Sequence, residues 1–202
     1  MSTSSNGKKA EAKRAELVAA AVRVVMREGI GAASVRAVAQ EAQISVDSVL
    51  YYFSGIDELL RRTVESVMDR YFAQRLHVLA SFGTAAQRLS QLIDLGVPDD
   101  IGEDLSRLYK SIALKPTNSE DLALYEGLYK RQVSLYLSII ETGQENGEFT
   151  PEAPALRIAQ NLIALEDAYD LYPVIGVPLS GAEKRANVRS YAELALGCTL
   201  QE

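Results

Sequence analysis

The sequence predicts an all-α protein of about nine helices, with a three-helix N-terminal unit followed by a larger C-terminal helical bundle. Apolar residues recur at helical spacing along most of the chain, and no stretch alternates apolar and polar residues as a half-buried strand does. Clusters of glycine, proline and serine interrupt this pattern, as turns between helices do.

Composition limits the class of protein. The 202 residues are 48% hydrophobic, which is enough to bury a full core. The single cysteine, Cys198, excludes an internal disulfide framework and fits a reducing compartment. Neither a signal peptide nor an apolar run long enough to span a bilayer is present, so we expect a soluble cytoplasmic protein without membrane contacts.

The net charge of −6 is unevenly distributed. Residues 1–62 carry nine Lys/Arg and seven Asp/Glu, whereas the rest of the chain is strongly acidic. DNA binding requires a local basic face rather than a basic protein, so this N-terminal region is compatible with a DNA partner.

Residues 34–53 contain two short helical patterns separated by a corner too brief to be a loop. Ser34 and Ser45 are natural N-caps for the two helices, and Gln43 and Ile44 form the corner between them. The predicted helices cover residues 35–42 and 46–52. Ala39 falls where their axes approach most closely, and the positions that point into their angle are Val38, Ala42, Ile44, Val49 and Tyr52. This pattern is typical of a helix-turn-helix motif, whose second helix lies in the DNA major groove. An ordinary helical hairpin inside a bundle is the alternative on spacing alone.

The outward side of the second helix would carry recognition. Its residues are Ser45, Val46, Asp47, Ser48, Leu50 and Tyr51. Asp47 either accepts a hydrogen bond from a cytosine N4 or stabilises the helix N-terminus, and we favour the second role because phosphates repel a carboxylate. Arg36, in the first turn of the preceding helix, is the best charged candidate for a DNA contact.

The residues around this corner follow a specific order from about Ala15 to Leu60. An amphipathic first helix ends at Gly29, a Val-x-x-Val-Ala helix and an Ile-Ser corner follow, and Tyr-Tyr-Phe precedes a Leu-Leu pair. The positions concerned are Leu17, Ala20, Ala21, Val24, Val25, Gly29, Ser34, Val35, Val38, Ala39, Ile44, Ser45, Tyr52, Phe53, Leu59 and Leu60. This order resembles the TetR family of bacterial one-component transcription regulators.

The resemblance implies a homodimeric, ligand-responsive regulator, most simply a repressor that leaves a palindromic operator when a small-molecule effector binds. It implies a DNA-binding domain over residues 1–54 and an effector-binding and dimerisation domain over residues 55–202. We expect DNA contacts from Lys9, Ser34, Arg36, Ser45, Val46, Asp47, Ser48, Tyr51 and Tyr52.

Three residues depart from the family pattern. Gln43 replaces the usual corner glycine, and a left-handed non-glycine residue costs about 1 kcal/mol or more. Leu50 stands where the family often has a phosphate-binding tyrosine, and Ile56 stands where it usually has a lysine that contacts the DNA backbone. These departures leave the predicted fold unchanged but weaken the expectation of two phosphate contacts.

The N-terminal segment Met1 to Gly7 is polar and serine-rich, and we expect a disordered arm there. The basic residues that follow, Lys8, Lys9, Lys13 and Arg14, either lie along DNA or form a solvated helix start.

A long fourth helix begins at a Ser-x-x-Asp cap formed by Ser54 and Asp57 and continues to about Ala80. Because this helix joins the DNA-binding region to the rest of the chain, a shift at its far end would move that region. The remaining predicted helices cover residues 84–95, 99–115, 119–146, 152–171 and 181–199.

Three carboxylates, Glu166, Asp167 and Asp170, interrupt an otherwise apolar helix. They cannot all be buried without partners, so they face solvent, a cation or a subunit interface. Together with nearby tyrosines they would suit a cationic ligand such as a polyamine or a quaternary amine. The candidate ligand residues are Tyr71, Tyr109, Tyr125, Tyr129, Glu166 and Asp170. The alternative is exposed acids with core or interface tyrosines.

The family resemblance places the dimer interface on the last two helices. The candidate residues there are Leu156, Ala159, Ile163, Tyr191, Leu194, Ala195 and Cys198.

Residues for catalysis are scarce. The single histidine, His77, and Cys198 have no partner at motif spacing, and no phosphate-binding glycine loop or zinc spacing occurs. We therefore expect no catalytic residue, no metal and no cofactor, and read His77 as a surface or semi-buried structural residue. A rival to the regulator is an all-α small-molecule-binding or adaptor protein with a vestigial DNA-binding region, which Asp47, Leu50 and Ile56 favour.

Overall fold

The computed structural model describes residues 3–98, 119–172 and 176–200, and all regular structure in these ranges is helical. The helices are α1 Thr3–Glu28, α2 Val35–Glu41, α3 Val46–Tyr52, α4 Ile56–Leu79, α5 Ala85–Gly96, α6 Ser119–Glu145, α7 Ala155–Leu171 and α8 Gly181–Leu196, with a short 3-10 helix at Ile30–Ala32. The all-α prediction is confirmed. The helix predicted over residues 99–115 lies outside the described residues.

The chain divides into two compact units, with the boundary after Asp69 inside α4. The first unit contains α1, α2, α3 and the start of α4, and the second contains the rest of α4 and helices α5 to α8. Within the described residues, no helix has the length and apolar character that a membrane crossing requires.

The N-terminal unit has its own apolar core. Helices α2 and α3 have seven residues each, and helices of that length are marginal in water unless tertiary packing supports them. The support is a buried cluster of Leu17, Val18, Ala20, Ala21 and Val24 from α1 with Val38, Ala39, Val49, Phe53 and Leu59. This cluster fixes α2 and α3 against α1.

The corner between α2 and α3 is tight and capped. Ser34 Oγ accepts a hydrogen bond from the Ala37 backbone N–H at 3.1 Å, and Ser45 Oγ accepts one from the Ser48 N–H at 3.1 Å, which confirms both predicted N-caps. Gln43 has a φ of 55°, so the corner keeps its left-handed residue although it is not glycine. The strain is therefore retained rather than relieved by a wider turn.

The start of helix α1 differs from the sequence prediction. Helix α1 begins at Thr3, so the backbone is helical where a disordered arm was expected. Once a helix is nucleated, each added residue gains a hydrogen bond, and α1 extends backward without needing buried side chains there.

Helix α4 is capped by a different carboxylate from the predicted one. Ser54 donates from its backbone N–H to Glu58 Oε2 at 2.7 Å and from its hydroxyl to the same oxygen at 2.9 Å. The predicted partner, Asp57, is exposed in the same turn. The hydrogen bonds from the Ser54 backbone and hydroxyl lower the pKa of Glu58.

The core of the C-terminal unit is formed where α5, α6, α7 and α8 pack together. Its fully buried members are Ala85, Leu89, Leu92, Ile93, Val97, Tyr136, Ile140, Ala159, Leu162, Val188, Ala192 and Leu196. Val78, near the end of α4, joins the same cluster.

Replacing Gln43 with glycine should stabilise the protein by about 0.5–1 kcal/mol, because glycine removes the left-handed penalty but adds freedom to the unfolded chain. Chemical denaturation followed by circular dichroism measures the change. Gln40→Gly changes an exposed residue inside α2; it is the control and should destabilise the protein. Equal destabilisation by both substitutions would contradict the strained corner.

Glu58→Gln should weaken the α4 cap by about 1 kcal/mol at neutral pH. The lowered pKa of Glu58 stabilises the folded state above the carboxyl's unfolded pKa, and this stabilisation disappears as pH falls through the lowered folded value. The difference between wild type and variant should therefore shrink on acidification. Asp57→Asn removes an equal charge from the same turn and should have little effect on stability. A larger loss of stability from Asp57→Asn than from Glu58→Gln would show that Asp57 is the cap.

Candidate functional site

Helix α3 turns one side to the core and presents the other side to solvent. Val49 is fully buried, whereas Val46, Leu50 and Tyr51 are 38%, 46% and 81% exposed. The exposure of three sizeable apolar side chains on one short helix is the kind of feature that marks a binding surface.

The other residues expected to contact DNA differ in their exposure. Lys9, Ser34, Arg36, Ser45 and Asp47 are exposed, and Lys9 lies near the start of α1. Ser48 is half-buried, and its hydroxyl is hydrogen-bonded to the Ser45 hydroxyl at 2.7 Å. Tyr52 is half-buried against the N-terminal core, and its ring meets that of Tyr51 edge-on with centroids 5.0 Å apart.

Helix α1 holds both helices of the motif by polar contacts. Arg14 Nε donates to the Tyr52 carbonyl at the end of α3 at 3.3 Å. Arg23 and Arg27 donate to the Glu41 carboxylate at the end of α2 at 2.7 and 2.8 Å, and these hydrogen bonds lower the pKa of Glu41. Polar contacts from α1 therefore reinforce the positions of α2 and α3 at their C-terminal ends.

The two departures from the family pattern have different structural settings. Ile56 is half-buried and packs against the N-terminal core, so its apolar side chain contributes to folding. Leu50 remains exposed on α3 and contributes an aliphatic side chain to the outward surface.

The C-terminal unit contains a buried ion pair that connects α4 with α7. Arg75 is only 1% exposed, and Glu166 is also buried. The guanidinium donates from Nη1 to Glu166 Oε2 at 2.9 Å and from Nη2 to Glu166 Oε1 at 3.1 Å. This two-point contact keeps both planar groups aligned.

Two tyrosines complete this network. Arg75 Nη1 donates to the Tyr71 hydroxyl at 2.8 Å, the Tyr71 hydroxyl donates to the Leu95 carbonyl at 3.2 Å, and the Tyr136 hydroxyl donates to Glu166 Oε1. Arg75 Cζ also lies 5.3 Å from the Tyr71 ring centroid and 5.4 Å from that of Tyr136. The guanidinium therefore occupies a site lined by two aromatic rings and a carboxylate, which is the environment that favours a cation.

Burial sets the electrostatics of this network. Removal from water raises the pKa of Glu166, and the adjacent Arg75 guanidinium opposes that rise. Burial also raises the pKa of the Tyr71 and Tyr136 hydroxyls, so both remain neutral donors.

Gly96, at the end of α5, leaves room for the Glu166 carboxylate. A Cβ built on Gly96 would lie 1.8 Å from Glu166 Oε1, far inside van der Waals contact. Any larger residue at this position would displace the carboxylate from Arg75.

The predicted ligand residues are only partly brought together. Tyr71 and Glu166 belong to the buried network, and the charge of Asp170, one helical turn after Glu166, raises the pKa of both. Tyr125 is half-buried on α6, where burial raises its pKa to about 12, and Tyr129 is exposed. Tyr109 lies outside the described residues. The cation that Glu166 faces in this structure is the protein's own Arg75.

Arg75 and Gly96 were not predicted from the sequence as members of this site, whereas Tyr136 is one of the tyrosines expected near the three carboxylates. A signal for Arg75 was present, because it lies four residues from both Tyr71 and Leu79 in the apolar stripe of α4. A charge inside such a stripe indicates a buried and paired group.

The predicted dimer residues fall into two groups. Leu156 and Leu194 are exposed, and Tyr191, Ala195 and Cys198 are half-buried. Ala159 and Ile163, in contrast, are 0% and 3% exposed in the single chain. These two are core residues with no surface left to bury against a second copy.

The residues considered for catalysis or metal binding include His77. His77 is exposed in the last turn of α4, consistent with the surface role expected for it. In the part of the chain that the structure describes, no group of three or more His, Cys, Asp or Glu is arranged to hold a metal ion.

The capped corner, the outward α3 and the separate helical unit that follows define a helix-turn-helix transcription regulator. Residues 17–63 match the family model for bacterial regulatory proteins of the tetR family. The nicotine-responsive transcriptional repressor HdnoR of Paenarthrobacter nicotinovorans is 30% identical over 134 residues, which cover 50% of this chain and 69% of that protein. The chain therefore belongs to the TetR family, and it is a transcription regulator of that type.

Two further relatives span nearly the whole chain. The uncharacterised regulator YfiR of Bacillus subtilis is 25% identical over 190 residues, covering 91% of this chain and 88% of that protein. A crystal structure of a transcriptional regulator from Saccharomonospora viridis in complex with choline has a TM-score of 0.82 at 21% identity and covers 92% of this chain and 98% of that one. The structural likeness confirms the fold.

Glu166→Gln should destabilise the protein by about 3–5 kcal/mol, because it leaves the buried Arg75 charge unpaired. Arg75→Met should destabilise the protein by a similar amount. The Arg75→Met/Glu166→Gln variant should lose clearly less stability than the sum of the two single losses. Urea denaturation followed by circular dichroism gives the three values.

Glu126→Gln is the matched control for this cycle. It breaks an exposed pair with Lys130 and should leave stability nearly unchanged. Additive losses in the Arg75 and Glu166 cycle would show that the two side chains do not stabilise each other.

Proposed function

We propose that this protein is a homodimeric repressor that binds a palindromic operator and is released by a small-molecule effector, with no enzymatic activity of its own. In this proposal residues 1–54 bind DNA and residues 55–202 bind the effector and form the dimer. The observation that carries the proposal is the outward side of α3, which is exposed while the opposite side is locked into the N-terminal core.

The DNA contacts that we propose fall into two kinds. Val46, Asp47 and Tyr51 project from α3 and would meet base edges or the groove walls. Ser34, Arg36 and Lys9 are exposed outside α3 and would meet phosphates, as would the hydroxyls of Ser45, Ser48 and Tyr52. These phosphate contacts would orient the protein on the duplex so that α3 lies in the major groove.

Dimerisation would use the exposed leucines of the last two helices. Leu156 on α7 and Leu194 on α8 are large apolar side chains that are 48% and 86% exposed in the single chain. Half-buried Tyr191, Ala195 and Cys198 lie on or directly after α8 beside Leu194. A two-fold pairing would present two α3 helices to half-sites separated by about one turn of DNA.

The effector that we propose is a cationic amine. One relative is named as nicotine-responsive and one structural neighbour was solved with choline, and both compounds carry an amine or ammonium group. The site formed by Tyr71, Tyr136 and Glu166 already accommodates a cation in the form of the Arg75 guanidinium. An amine would compete with Arg75 for the same rings and carboxylate, with Asp170 adding negative charge nearby.

Helix α4 offers a physical route from effector to DNA. It supplies Leu59 to the core of the N-terminal unit, while Tyr71 and Arg75 on the same helix belong to the buried network. An amine that displaced Arg75 would remove a fixed point of α4. A ligand changes the equilibrium between two states only by its difference in affinity for them, so the amine must prefer the arrangement with Arg75 displaced.

Fluorescence anisotropy with the DNA upstream of the protein's own gene tests the DNA-binding part. We expect sequence-selective, salt-sensitive binding, and Arg36→Ala should weaken it on all duplexes and reduce the salt slope by about two, one phosphate contact for each copy of the dimer. Arg157→Ala removes an exposed arginine of α7; it is the matched control and should leave DNA binding unchanged. Equal weak binding to every duplex would favour the adaptor protein with an unused DNA-binding region.

Thermal shifts with choline, tetramethylammonium and nicotine test the effector class, because a ligand that binds only the folded state raises the melting temperature. Each should stabilise the wild type, Arg75→Met should bind them more tightly, and Arg75→Met/Glu166→Gln should not respond. Stabilisation by anions or neutral lipids alone would contradict an amine effector.

A further inference from the structure

The outward side of α3 has an unusual chemical composition for a helix that reads DNA. Residues 42–52 contain no lysine or arginine. The largest exposed side chains on α3 are those of Val46, Leu50 and Tyr51. Asp47 is the single charged residue of this stretch, and it is negative.

This composition excludes the commonest base contact from α3. Guanine is most often recognised by a bidentate arginine or lysine at its O6 and N7 atoms. The hydroxyls of Ser45 and Ser48 are hydrogen-bonded to each other, and Ser45 Oγ also accepts from the Ser48 N–H, so both groups are held at the start of α3. Among the exposed side chains of α3, those of Val46 and Leu50 are aliphatic, so they can take part in recognition only through apolar contacts.

The major groove offers one apolar feature that such groups can contact, the C5 methyl group of thymine. Val46 and Leu50 are four residues apart, so they lie on the same side of the helix, about 6 Å apart along its axis. This separation is close to two base-pair steps of about 3.4 Å each. Two aliphatic side chains at this spacing match two methyl groups along one half-site.

We propose that this regulator selects its operator by packing Val46 and Leu50 against thymine methyl groups, with no guanine contact from α3. The proposal rests on the DNA-binding function proposed above and specifies the chemistry by which it discriminates sequences. Removing one buried methyl group corresponds to about a fourfold loss of affinity.

The first experiment selects a duplex from a random library with the full-length protein and then replaces individual thymines by deoxyuridine, which lacks only the methyl group. At one or two positions in each half-site, the replacement should weaken binding about fourfold, and about sixteenfold when the symmetry-related position is replaced as well. Thymines outside the half-sites serve as the control and should tolerate the replacement.

A double-mutant cycle then assigns each methyl group to a side chain. Val46→Ala and Leu50→Ala remove exposed groups, so both variants should keep the wild-type melting temperature. Because both copies of the chain carry the substitution, each variant should bind the thymine duplex about sixteenfold more weakly and lose its preference for thymine over uracil at its own position. Leu122→Ala, an exposed leucine of α6, is the matched control and should keep the full preference.

The outcomes separate the two proposals. Selection of no duplex would overturn the DNA-binding function itself. A selected duplex without thymine in its half-sites, or one in which every thymine tolerates uracil within about twofold, would overturn methyl recognition alone. Unchanged thymine preference in both alanine variants would also overturn the assignment to Val46 and Leu50.

Discussion

Burial of Val38, Ala39 and Val49 against α1 is the contact on which the N-terminal unit depends. Two seven-residue helices do not hold a fixed angle in water by themselves. Because these side chains must face α1, the intervening positions of α3 must face outward. This packing arrangement explains why the strained, left-handed Gln43 is tolerated at the corner. The arginine contacts at the ends of α2 and α3 support the same arrangement.

The C-terminal unit is specified in a different way. A buried ion pair adds little stability compared with apolar residues of the same volume, but it strongly disfavours arrangements that separate its partners. Arg75 and Glu166, with the tyrosine hydroxyls and the Leu95 carbonyl, tie α4, α5, α6 and α7 to one register. This is the site at which we propose that a cationic amine competes with Arg75.

The sequence predicted most helix bounds to within a few residues because periodicity and caps are local signals; α3 was predicted as residues 46–52 and is observed there. The partnership of Arg75 and Glu166 was not predicted, since 91 residues separate them and no local pattern pairs distant charges. Ala159 and Ile163 were taken for interface residues because an apolar position at helical spacing does not distinguish a core from a subunit contact. The cap of α4 was assigned to Asp57 because a capping box places the carboxylate three residues after the serine, whereas Glu58, four residues after Ser54, makes the contact.

We propose that two outward α3 helices, one from each copy of the chain, enter successive major grooves. Hydroxyl-radical footprinting of the protein on a selected duplex measures this most directly. The account predicts two equivalent protected clusters whose centres lie about 10 base pairs, or a multiple of one helical turn, apart. A single protected cluster, or uniform protection without a two-fold pattern, would contradict it.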